Sequence, residues 1–349
     1  MTERIASLIE KLNNEEKLTV DEFKELLDKR DEEAYELLSS YGVTKRKTVY
    51  GNKVYLRGLV EVSNICKNDC LYCGIRRGNT KCERYRLSPD EIVACADTGY
   101  ALGMRTFVLQ GGEDPFFTDE VLCDIIKQLK ESHPDCAVTL SLGERSDESY
   151  RLLKEAGADR YLLRHETVSP ELYSSLHPKE MSLENRLHCL ETLKSLGYQT
   201  GCGFMVGAPG QTNEILAREL DFIQSFQPQM CGIGPFIPHK DTPLRDCACG
   251  SAELTCYLLS IIRLIKPNIL LPATTAINTV TPKGRKMGIL SGANVVMPNL
   301  SPFDVRDKYS LYDKKAYTGT ESAQCIDEIK EEMASIGYEA VTARGDIIN

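Results

Sequence analysis

The sequence predicts an α/β protein: a closed (βα)8 TIM-type barrel with a helical N-terminal extension and a short C-terminal tail. Its 349 residues suit one barrel of about 250 residues together with extensions. Eight short apolar runs alternate with amphipathic stretches, which is the pattern of parallel strands joined by helical crossovers. Hydrophobic residues make up 42% and charged residues 27%, and these values exclude wholesale disorder. An open doubly wound sheet is the alternative architecture.

Both ends of the chain are predicted to lie outside the barrel. The N-terminal part is charged and helical in pattern, and Thr19 and Glu22 form a capping box ahead of an apolar stripe. The polar C-terminal part has one predicted helix, over residues 326–336. The predicted organisation is therefore a helical extension, the barrel, and a tail that packs on the barrel, at residues 1–50, 51–300 and 301–349.

The strands and helices of the barrel are predicted from local signals. SPDE at 88–91 combines an N-cap, a Pro at the first helical position and a capping-box Glu, and SPE at 169–171 begins another helix in the same way. Leu216, Leu220 and Ile223 give a third helix one apolar stripe. The candidate strands are apolar, too short for helices and mostly bounded by Gly or Pro. They are residues 59–62, 106–109, 137–140, 160–163, 200–206, 231–234, 269–272 and 294–297.

Charge and cysteine content narrow the class of protein. Lys and Arg number 42 and Asp and Glu 51, so the net charge of −9 argues against a nucleic-acid or anionic-membrane partner. The charged N-terminus lacks the apolar core of a secretory signal, and no apolar run is long enough to span a membrane. The 14 Cys therefore do not indicate a secreted disulfide framework. We expect a reducing, anaerobic cytoplasm.

The strongest motif is C-x3-C-x2-C at Cys66, Cys70 and Cys73, in the loop after the first predicted strand. Loops at that end of the strands form the catalytic rim of a barrel. Three thiolates this close suit an iron–sulfur cluster, and three ligands leave one of four irons with an open position. The alternatives are a zinc site or unconnected thiols. Zinc requires a fourth ligand, and the nearest further thiol, Cys82, stands at no short regular offset.

This thiol spacing, with aromatic Tyr72 before the last Cys, resembles the radical S-adenosylmethionine (SAM) superfamily. Further segments together resemble one family within it, the HydE maturases of di-iron hydrogenase. They cover the chain from about residue 50 to 300 and are NDCLYCGIRR (68–77), RYRLSPDEIV (84–93), VLQGGEDPFF (108–117), LSLGE (140–144), ADRYLLRHET (158–167), GIGPFIPHKDTPL (232–244), LPATTA (271–276) and GANVVMPN (292–299).

The resemblance implies the cofactors and the reaction. A [4Fe–4S] cluster binds the amino and carboxylate groups of SAM at its open iron, and one electron cleaves SAM to methionine and a 5′-deoxyadenosyl radical. The implied substrate is an iron–carbonyl–cyanide–cysteine synthon that is attacked at the cysteine sulfur. The cofactor supplies the difficult chemistry, and the barrel supplies position and excludes water.

Residues after the second to fourth strands are the candidate SAM contacts. Gly111 and Gly112, after Gln110, let the backbone approach a ligand and expose its carbonyls, and Glu113 offers a carboxylate to the SAM ammonium. A plain strand-to-helix turn is the alternative. Side chains on one face of the third strand point to a common place, and an acid and a guanidinium suit ribose hydroxyls and a carboxylate. With Tyr72, the remaining candidates are Thr139, Ser141, Glu166 and Arg186.

Residues on the later strands are the candidates for substrate contacts. Arg164 ends the fourth strand, and because a buried Arg needs an anion, the resemblance places it on an anionic group of the substrate. Thr274 and Thr275 offer small hydroxyls to a carboxylate or a cyanide nitrogen. Met297 is either a substrate contact or a core side chain. Ile237, after the sixth strand, is a candidate to pack on adenine.

The same resemblance implies partners. The substrate is an organometallic or amino-acid-derived small molecule. The protein partners are the other hydrogenase maturases, a tyrosine lyase and a GTPase scaffold, and a reductant such as ferredoxin or flavodoxin. The cytoplasm is the expected location, with no nucleic-acid or membrane partner.

Two other interpretations stay open. A mutase or sulfur-inserting enzyme of the same branch, like methylornithine synthase or biotin synthase, shares the thiol motif, but GGED, LLRHET and GIGPFIPH favour the maturase. A non-catalytic metal-binding or electron-transfer protein would show a cluster signal that SAM does not change. Hydrolytic readings have little support because the five His form no Ser–His–Asp or HExxH pattern, although His165 and His239 could line the rim.

The remaining thiols are predicted to be incidental. Many members of the family that the chain resembles carry a second, peripheral cluster on Cys residues of the C-terminal tail. Here only Cys325 lies in the tail, and the resemblance places Tyr317 and Glu328 where the partner Cys would stand. No second cluster is therefore predicted. One further group, CACGSAELTC, is interpreted as a loop followed by a helix, with metal binding as the alternative: Cys247, Cys249 and Cys256.

Overall fold

The computed structural model describes residues 1–316 and 319–348, so the prediction at Tyr317 lies outside the described residues. The strands are β1 Lys53–Leu56, β2 Gly58–Ser63, β3 Thr106–Gly111, β4 Ala137–Ser141, β5 Arg160–Leu162, β6 Gln199–Cys202, β7 Met205–Val206, β8 Met230–Cys231, β9 Gly234–Pro235, β10 Val295–Val296 and β11 Glu339–Val341. The α-helices are α1 Glu3–Glu15, α2 Val20–Asp28, α3 Glu32–Tyr50, α4 Pro89–Ala101, α5 Asp119–Ser132, α6 Asp147–Glu155, α7 Pro170–Leu176, α8 Leu183–Ser195, α9 Asn213–Phe226, α10 Ala252–Ile265, α11 Thr275–Val280, α12 Gly284–Leu290, α13 Phe303–Arg306 and α14 Ile326–Ala334.

The central sheet is parallel and closes into a ring. Strands β2, β3, β4, β5, β6 and β8 are neighbours in that order. Two short segments complete the ring, one at Leu270 and Leu271 and one at Val295. Cys231 N donates to Leu270 O at 3.2 Å, and Val295 N donates to Leu271 O at 3.0 Å. Leu300 N then donates to Leu59 O at 2.7 Å, which returns the ring to β2. The predicted (βα)8 barrel is confirmed, and the open sheet is excluded.

Three of the eight predicted strands differ from the prediction. Residues 269–272 form only isolated bridges, between Leu270 and Met230 and between Pro272 and Val295, and two other strands are interrupted. Residues 200–206 were expected to be continuous but form β6 and β7 on either side of Gly203. That glycine has φ of +155°, and a Cβ there would lie 2.0 Å from Gly232 O. The strand opposite is also divided, into β8 and β9. This close backbone approach is possible only without a side chain at Gly203.

The predicted helix starts are present. Ser88 and Thr19 each form a capping box with the Glu three residues on. Leu216, Leu220 and Ile223 are the buried stripe of α9. Helix α2 packs on α9 and α3 packs on α10, so the N-terminal helices cover one side of the barrel.

The C-terminal part is more closely integrated than a polar tail. Helix α14 is confirmed, but β11 also pairs in parallel with β1, and neither strand was predicted. Residues 309–315 cross the barrel mouth, and we call them the mouth strap. Gly74 N donates to Leu311 O of the strap at 2.8 Å, and Asp313 N donates to Pro238 O at 3.1 Å. The tail thus becomes part of the rim. Among the described residues, no helix is long and apolar enough to cross a membrane.

Candidate active site

A cavity of about 340 Å³ lies at the carboxyl ends of the strands and extends into the barrel. All but one of the predicted site residues line it, although they come from loops far apart in the sequence. The exception is Thr139, which is buried on β4 and whose Oγ1 has no hydrogen-bond partner among the described residues. The predicted residues in the lining are Cys66, Cys70, Tyr72, Cys73, Gln110, Gly111, Gly112, Glu113, Ser141, Arg164, Glu166, Arg186, Ile237, Thr274, Thr275 and Met297.

The cysteine loop is held in shape by its own polar groups. Arg84 donates to the carbonyl oxygens of Asn64 at 2.6 Å and of Ile75 at 2.8 Å, which fixes both flanks of the loop. Asp69 accepts from Gly78 N at 2.8 Å and pairs with Arg76 at 2.7 Å. These contacts satisfy an irregular backbone and leave the thiols directed at the cavity.

Among the described residues, no three Cys, His, Asp or Glu side chains lie close enough together to hold a single metal ion, and the three thiols of the motif are half-buried. The motif therefore suits a cluster, which takes each thiol on a separate iron, rather than one ion. Burial raises the pKa of Cys66, raises that of Cys70 well above its ordinary value and raises that of Cys73 to about 12. The neighbouring sulfurs raise the pKa of Cys70 further. Without metal these thiols therefore keep their protons at neutral pH. Coordination displaces those protons, because bound metal stabilises the thiolate.

Tyr72 is oriented by a buried histidine. His177 Nδ1 donates to Tyr173 O at 2.9 Å, so Nε2 carries no proton and accepts from the Tyr72 hydroxyl at 3.3 Å. The two rings meet edge to face. His177 therefore fixes the residue that precedes Cys73, and this contact was not predicted from the sequence.

We expect His177 to make the protein less stable in mild acid. Burial lowers the pKa of His177 to about 4, from an ordinary value of 6.5. The unfolded chain therefore takes up this proton first, and stability is lost as the pH falls from about 6.5 toward about 4. Urea unfolding at about pH 7 and about pH 5.5 measures the loss, which reaches at most about 1.4 kcal/mol per pH unit. In H177Q this part of the pH dependence disappears, whereas replacing the exposed His188 by Gln leaves it. An unchanged slope in H177Q would contradict the assignment.

Gly112 lets the second rim loop lie directly against the cysteine loop. A Cβ at this position would meet Ile65 O at 2.3 Å and Cys66 Cβ at 2.8 Å. Asp114 N donates to Gly112 O at 2.8 Å, which fixes the turn. The backbone at Gly112 therefore lies directly against the loop that carries Cys66.

Replacing Gly112 by alanine will displace the cysteine loop. The added methyl group meets backbone that cannot rotate away, so Cys66 must shift. We expect kcat/KM for SAM cleavage to fall about 100-fold, the cost of roughly 1 Å of misplacement. Gly42, in α3, is the matched control because a Cβ there makes an ordinary 3.5 Å contact. Equal activity of G112A and G42A would show that the loops need no such approach.

The Glu113 carboxylate has partners within the protein. Its Oε1 accepts from Glu144 N at 3.1 Å, and its Oε2 lies 3.1 Å from Lys67 Nζ. Gly143, with φ of +77°, leaves room for this side chain. Glu113 therefore connects its own loop to the loops that carry Lys67 and Glu144. It also lines the cavity, as a carboxylate that binds the SAM ammonium would have to do.

Arg164 and Glu166 form an incompletely satisfied pair beside the cavity. Arg164 Nη2 lies 3.1 Å from Glu166 Oε2, an ion pair without hydrogen-bond geometry. Arg164 Nε is buried and has no hydrogen-bond partner among the described residues. Glu166 has φ of +66°, the left-handed region. Buried polar groups are normally satisfied and strained backbone gathers at functional sites, so this pair is prepared to accept a ligand.

Arg186 reaches the cavity from α8. Its Nε donates to Glu144 at 2.6 Å, and its Nη1 donates to Arg164 O. The side chain is almost fully buried, and the negative partners around it raise its pKa despite the burial. Arg186 is therefore a fixed cation at the position where the sequence predicted one.

The remaining predicted residues line the later strands. Thr274 is the N-cap residue of α11, and its Oγ1 donates to Ile233 O at 3.3 Å. Thr275 Oγ1 donates to Glu321 at 2.8 Å. Met297 and Ile237 contribute apolar surface to the lining. The two threonines therefore already have protein partners, which a ligand would share or replace.

Several residues of the cavity were missed by sequence reasoning. The Sδ of Met181 lies 3.8 Å from Cys70 Sγ, although the two residues are 111 positions apart in the sequence. The fully buried Glu61 pairs with Lys315 of the mouth strap at 2.6 Å. No local sequence pattern predicts that the other strap residues line the cavity. They are Tyr309, Leu311 and Tyr312.

The histidines and the other thiols lie outside the cavity lining. His165 was expected to be able to line the rim, but it is fully buried on the opposite side of the segment that carries Arg164. His239 is buried behind the strap. Cys249 is exposed and Cys256 is buried within α10, which does not bring the thiols of that group together.

The class of protein follows from the barrel, the thiol loop and the sequence pattern together. Residues 60–223 match the pattern of the radical SAM superfamily. The crystal structure of methylornithine synthase is similar over 96% of this chain and 97% of that chain, with a TM-score of 0.82 and 25% sequence identity. The chain is a radical SAM enzyme, and its cofactors are a [4Fe–4S] cluster and SAM.

The family is given by closer sequence similarity. The chain is 44% identical over 330 residues to the [FeFe] hydrogenase maturase subunit HydE of Thermotoga maritima, covering 95% of this chain and 94% of that protein. A 3-methylornithine synthase of Methanosarcina acetivorans is 27% identical over 315 residues, covering 90% and 88%. The chain belongs to the HydE family. Membership of this family confirms the resemblance found in the sequence. It also excludes the alternative of a non-catalytic metal-binding or electron-transfer protein.

The residues present fit these cofactors. Three thiols line the mouth of one cavity, and the Gly112 backbone lies against the first of them. Buried polar atoms without hydrogen bonds surround the same space, at Arg164 Nε and Glu166 Oε2. Arg186, a fixed cation, and Glu166, a carboxylate without a full set of hydrogen bonds, match the carboxylate and the ribose hydroxyls of SAM. Apolar side chains, Ile237 among them, line the same cavity and form apolar surface of the kind on which an adenine ring packs.

Proposed function

We propose that this radical SAM enzyme acts in maturation of di-iron hydrogenase, on an anionic iron–carbonyl–cyanide–cysteine compound held inside the barrel. The observation that carries the proposal is Arg164, a cavity cation whose Nε has no hydrogen-bond partner among the described residues. The 44% identity to a HydE protein supports the setting. The Arg164 side chain is about one third exposed, and although Glu166 lies 3.1 Å away, Nε and Nη2 make no hydrogen bond among the described residues. An anionic substrate would satisfy these donors, so the site favours one.

The cofactors divide the site into two parts. When bound, the cluster and SAM supply a 5′-deoxyadenosyl radical by one-electron cleavage of SAM. We assign Cys66, Cys70 and Cys73 to three irons. Around SAM, the backbone of residues 110–112 faces the ammonium, with Glu113 beside it, and Ile237 packs on adenine. The polar residues assigned to SAM are Tyr72, Thr139, Ser141, Glu166 and Arg186.

The substrate is assigned to the barrel interior below SAM. Arg164 holds a carboxylate or a cyanide nitrogen, and the hydroxyls of Thr274 and Thr275 turn from their protein partners to a second acceptor. Met297 packs against the apolar part of the substrate. The mouth strap covers the cavity and excludes water, which protects a reactive radical. Holding the reacting atoms about 3–3.5 Å apart is the main contribution expected of these residues.

The remaining proposals concern organisation and partners. We keep the division into a helical extension, a barrel and a tail at residues 1–50, 51–300 and 301–349. A cytoplasmic reductant such as ferredoxin or flavodoxin would supply the electron. The other hydrogenase maturases, the tyrosine lyase and the GTPase scaffold, would supply the substrate and receive the product.

Two measurements test the proposal. Anaerobically reconstituted protein, reduced with dithionite, should form 5′-deoxyadenosine from SAM, and SAM should change the electron paramagnetic resonance spectrum of the cluster. Expression in a strain that lacks its HydE maturase should restore hydrogenase activity. Deoxyadenosine without rescue would favour a mutase like methylornithine synthase, and a spectrum that SAM leaves unchanged would refute SAM binding at the cluster.

A further inference from the structure

One carboxylate of an outer helix binds three groups of the segment that follows β5. Glu219 lies in the middle of α9 and is fully buried. Its Oε2 accepts from His165 Nε2 at 2.9 Å. Its Oε1 accepts from Thr167 Oγ1 at 2.6 Å and from Val168 N at 2.8 Å. A buried carboxylate that accepts three hydrogen bonds is strongly fixed in place.

The hydrogen bonds determine the state of His165. Gly203 N donates to His165 Nδ1 at 3.3 Å, so Nδ1 carries no proton and Nε2 must donate to Glu219. The ring of Phe222 lies 4.8 Å from the imidazole, centroid to centroid. His165 is therefore held in one tautomer and one rotamer between β6 and α9. A role as a ligand or acid at the rim is excluded, because the ring lies on the side opposite the cavity.

The alternate residues of the same segment face the cavity. Arg164 and Glu166 line it, while His165 and Thr167 turn outward to Glu219. Glu166 has φ of +66°, a backbone region that costs an L-residue energy. Its N–H donates to Gly203 O at 3.0 Å. Outside contacts therefore have to hold this conformation, and the side chains of its neighbours supply them.

We infer that Glu219, through His165 and Thr167, is a positioning residue that sets Arg164 and Glu166 in the site. Glu219 touches no cavity residue directly and acts from behind the barrel wall. The inference rests on the proposed function, in which Glu166 contacts SAM. It adds that affinity for SAM depends on a helix in the outer layer of the barrel.

The test separates positioning from simple stability. E219Q keeps the size of the side chain but replaces one acceptor oxygen with a donor, so at least one of its three donors loses its partner. Leu220→Ala is the matched control, because Leu220 is the next residue of α9 and is also fully buried. Both variants are reconstituted with cluster, and three quantities are compared: the melting temperature, the Kd for SAM, and hydrogen exchange of the peptide covering residues 163–168.

We expect E219Q to raise the Kd and the KM for SAM about tenfold, with kcat changed less, and to speed exchange of that peptide. L220A should lower the melting temperature at least as much and leave the Kd unchanged. Thr167→Val removes one donor and should shift the Kd in the same direction by less, which keeps the test available if E219Q does not fold. Faster exchange with a wild-type Kd in E219Q and T167V would overturn the inference. Failure of the wild-type protein to bind SAM would instead count against the proposed function. Hydrogen exchange of residues 163–168 would then still show whether Glu219 holds this segment in place.

Discussion

Replacing Cys66, Cys70 or Cys73 with alanine will abolish SAM cleavage. Each thiol lines the same cavity, and three ligands are the fewest that hold a cubane cluster while one iron stays open. The loss of any one leaves two irons without protein ligands. We expect deoxyadenosine formation to fall to background and the iron content of reconstituted protein to drop, since the thiols also hold the cluster in place.

The matched control is Cys82→Ala. Cys82 belongs to the same loop region and is half-buried, and its Sγ accepts a weak hydrogen bond from Asn64 Nδ2 at 3.6 Å. It lies outside the cavity lining, so C82A should keep both iron and activity. Retained deoxyadenosine production in any of the three motif variants would refute the assignment. Equal loss in C82A would mean that the loop, rather than the three thiols, carries the effect.

The parts of the site that the sequence predicted are those encoded by neighbouring residues. The thiol motif lies within eight residues, and Gln110 and Gly111 end one strand while Gly112 follows it directly. Strand ends at one edge of a parallel barrel must converge, so residues identified by position along the chain were also brought together in space. Helix starts at Ser88 and Ser169 were predictable for the same reason, since a cap acts on its own first turn.

The parts that were missed depend on contacts between distant residues. Lys315 meets Glu61 across 254 positions of the chain, and nothing local in the tail marks the mouth strap. The breaks at Gly203 and Gly232 arise from two backbones approaching each other, which neither strand shows alone. His165 follows a strand like Arg164, but a one-residue step places it on the other face, where Glu219 binds it. Successive side chains of an extended segment point to opposite faces, so the sequence shows which residues share a face. Only the packing of the whole barrel determines which of the two faces lines the cavity.

Replacing Arg164 with glutamine will separate SAM cleavage from substrate conversion. The variant keeps polarity and removes the cavity cation, so an anionic substrate loses a charge-assisted hydrogen bond worth about 3 kcal/mol, or about 150-fold in affinity. Deoxyadenosine formed without substrate should change less than about tenfold, because the cluster ligands and Arg186 remain. Hydrogenase rescue in a maturase-deficient strain should be lost.

The controls decide whether charge or shape matters. R164K keeps the charge but loses Nε, the atom without a protein partner, so it should recover part of the activity and not all of it. Arg145→Gln removes a half-buried guanidinium that pairs with Asp119 away from the cavity, and it should preserve the rescue. If R164Q lost SAM cleavage and rescue equally, Arg164 would serve SAM through Glu166, its ion-pair partner at 3.1 Å, rather than the substrate. The anionic substrate would then need another cation. Of the lining cations, Arg186 is assigned to SAM, which leaves Lys315, a residue paired with Glu61.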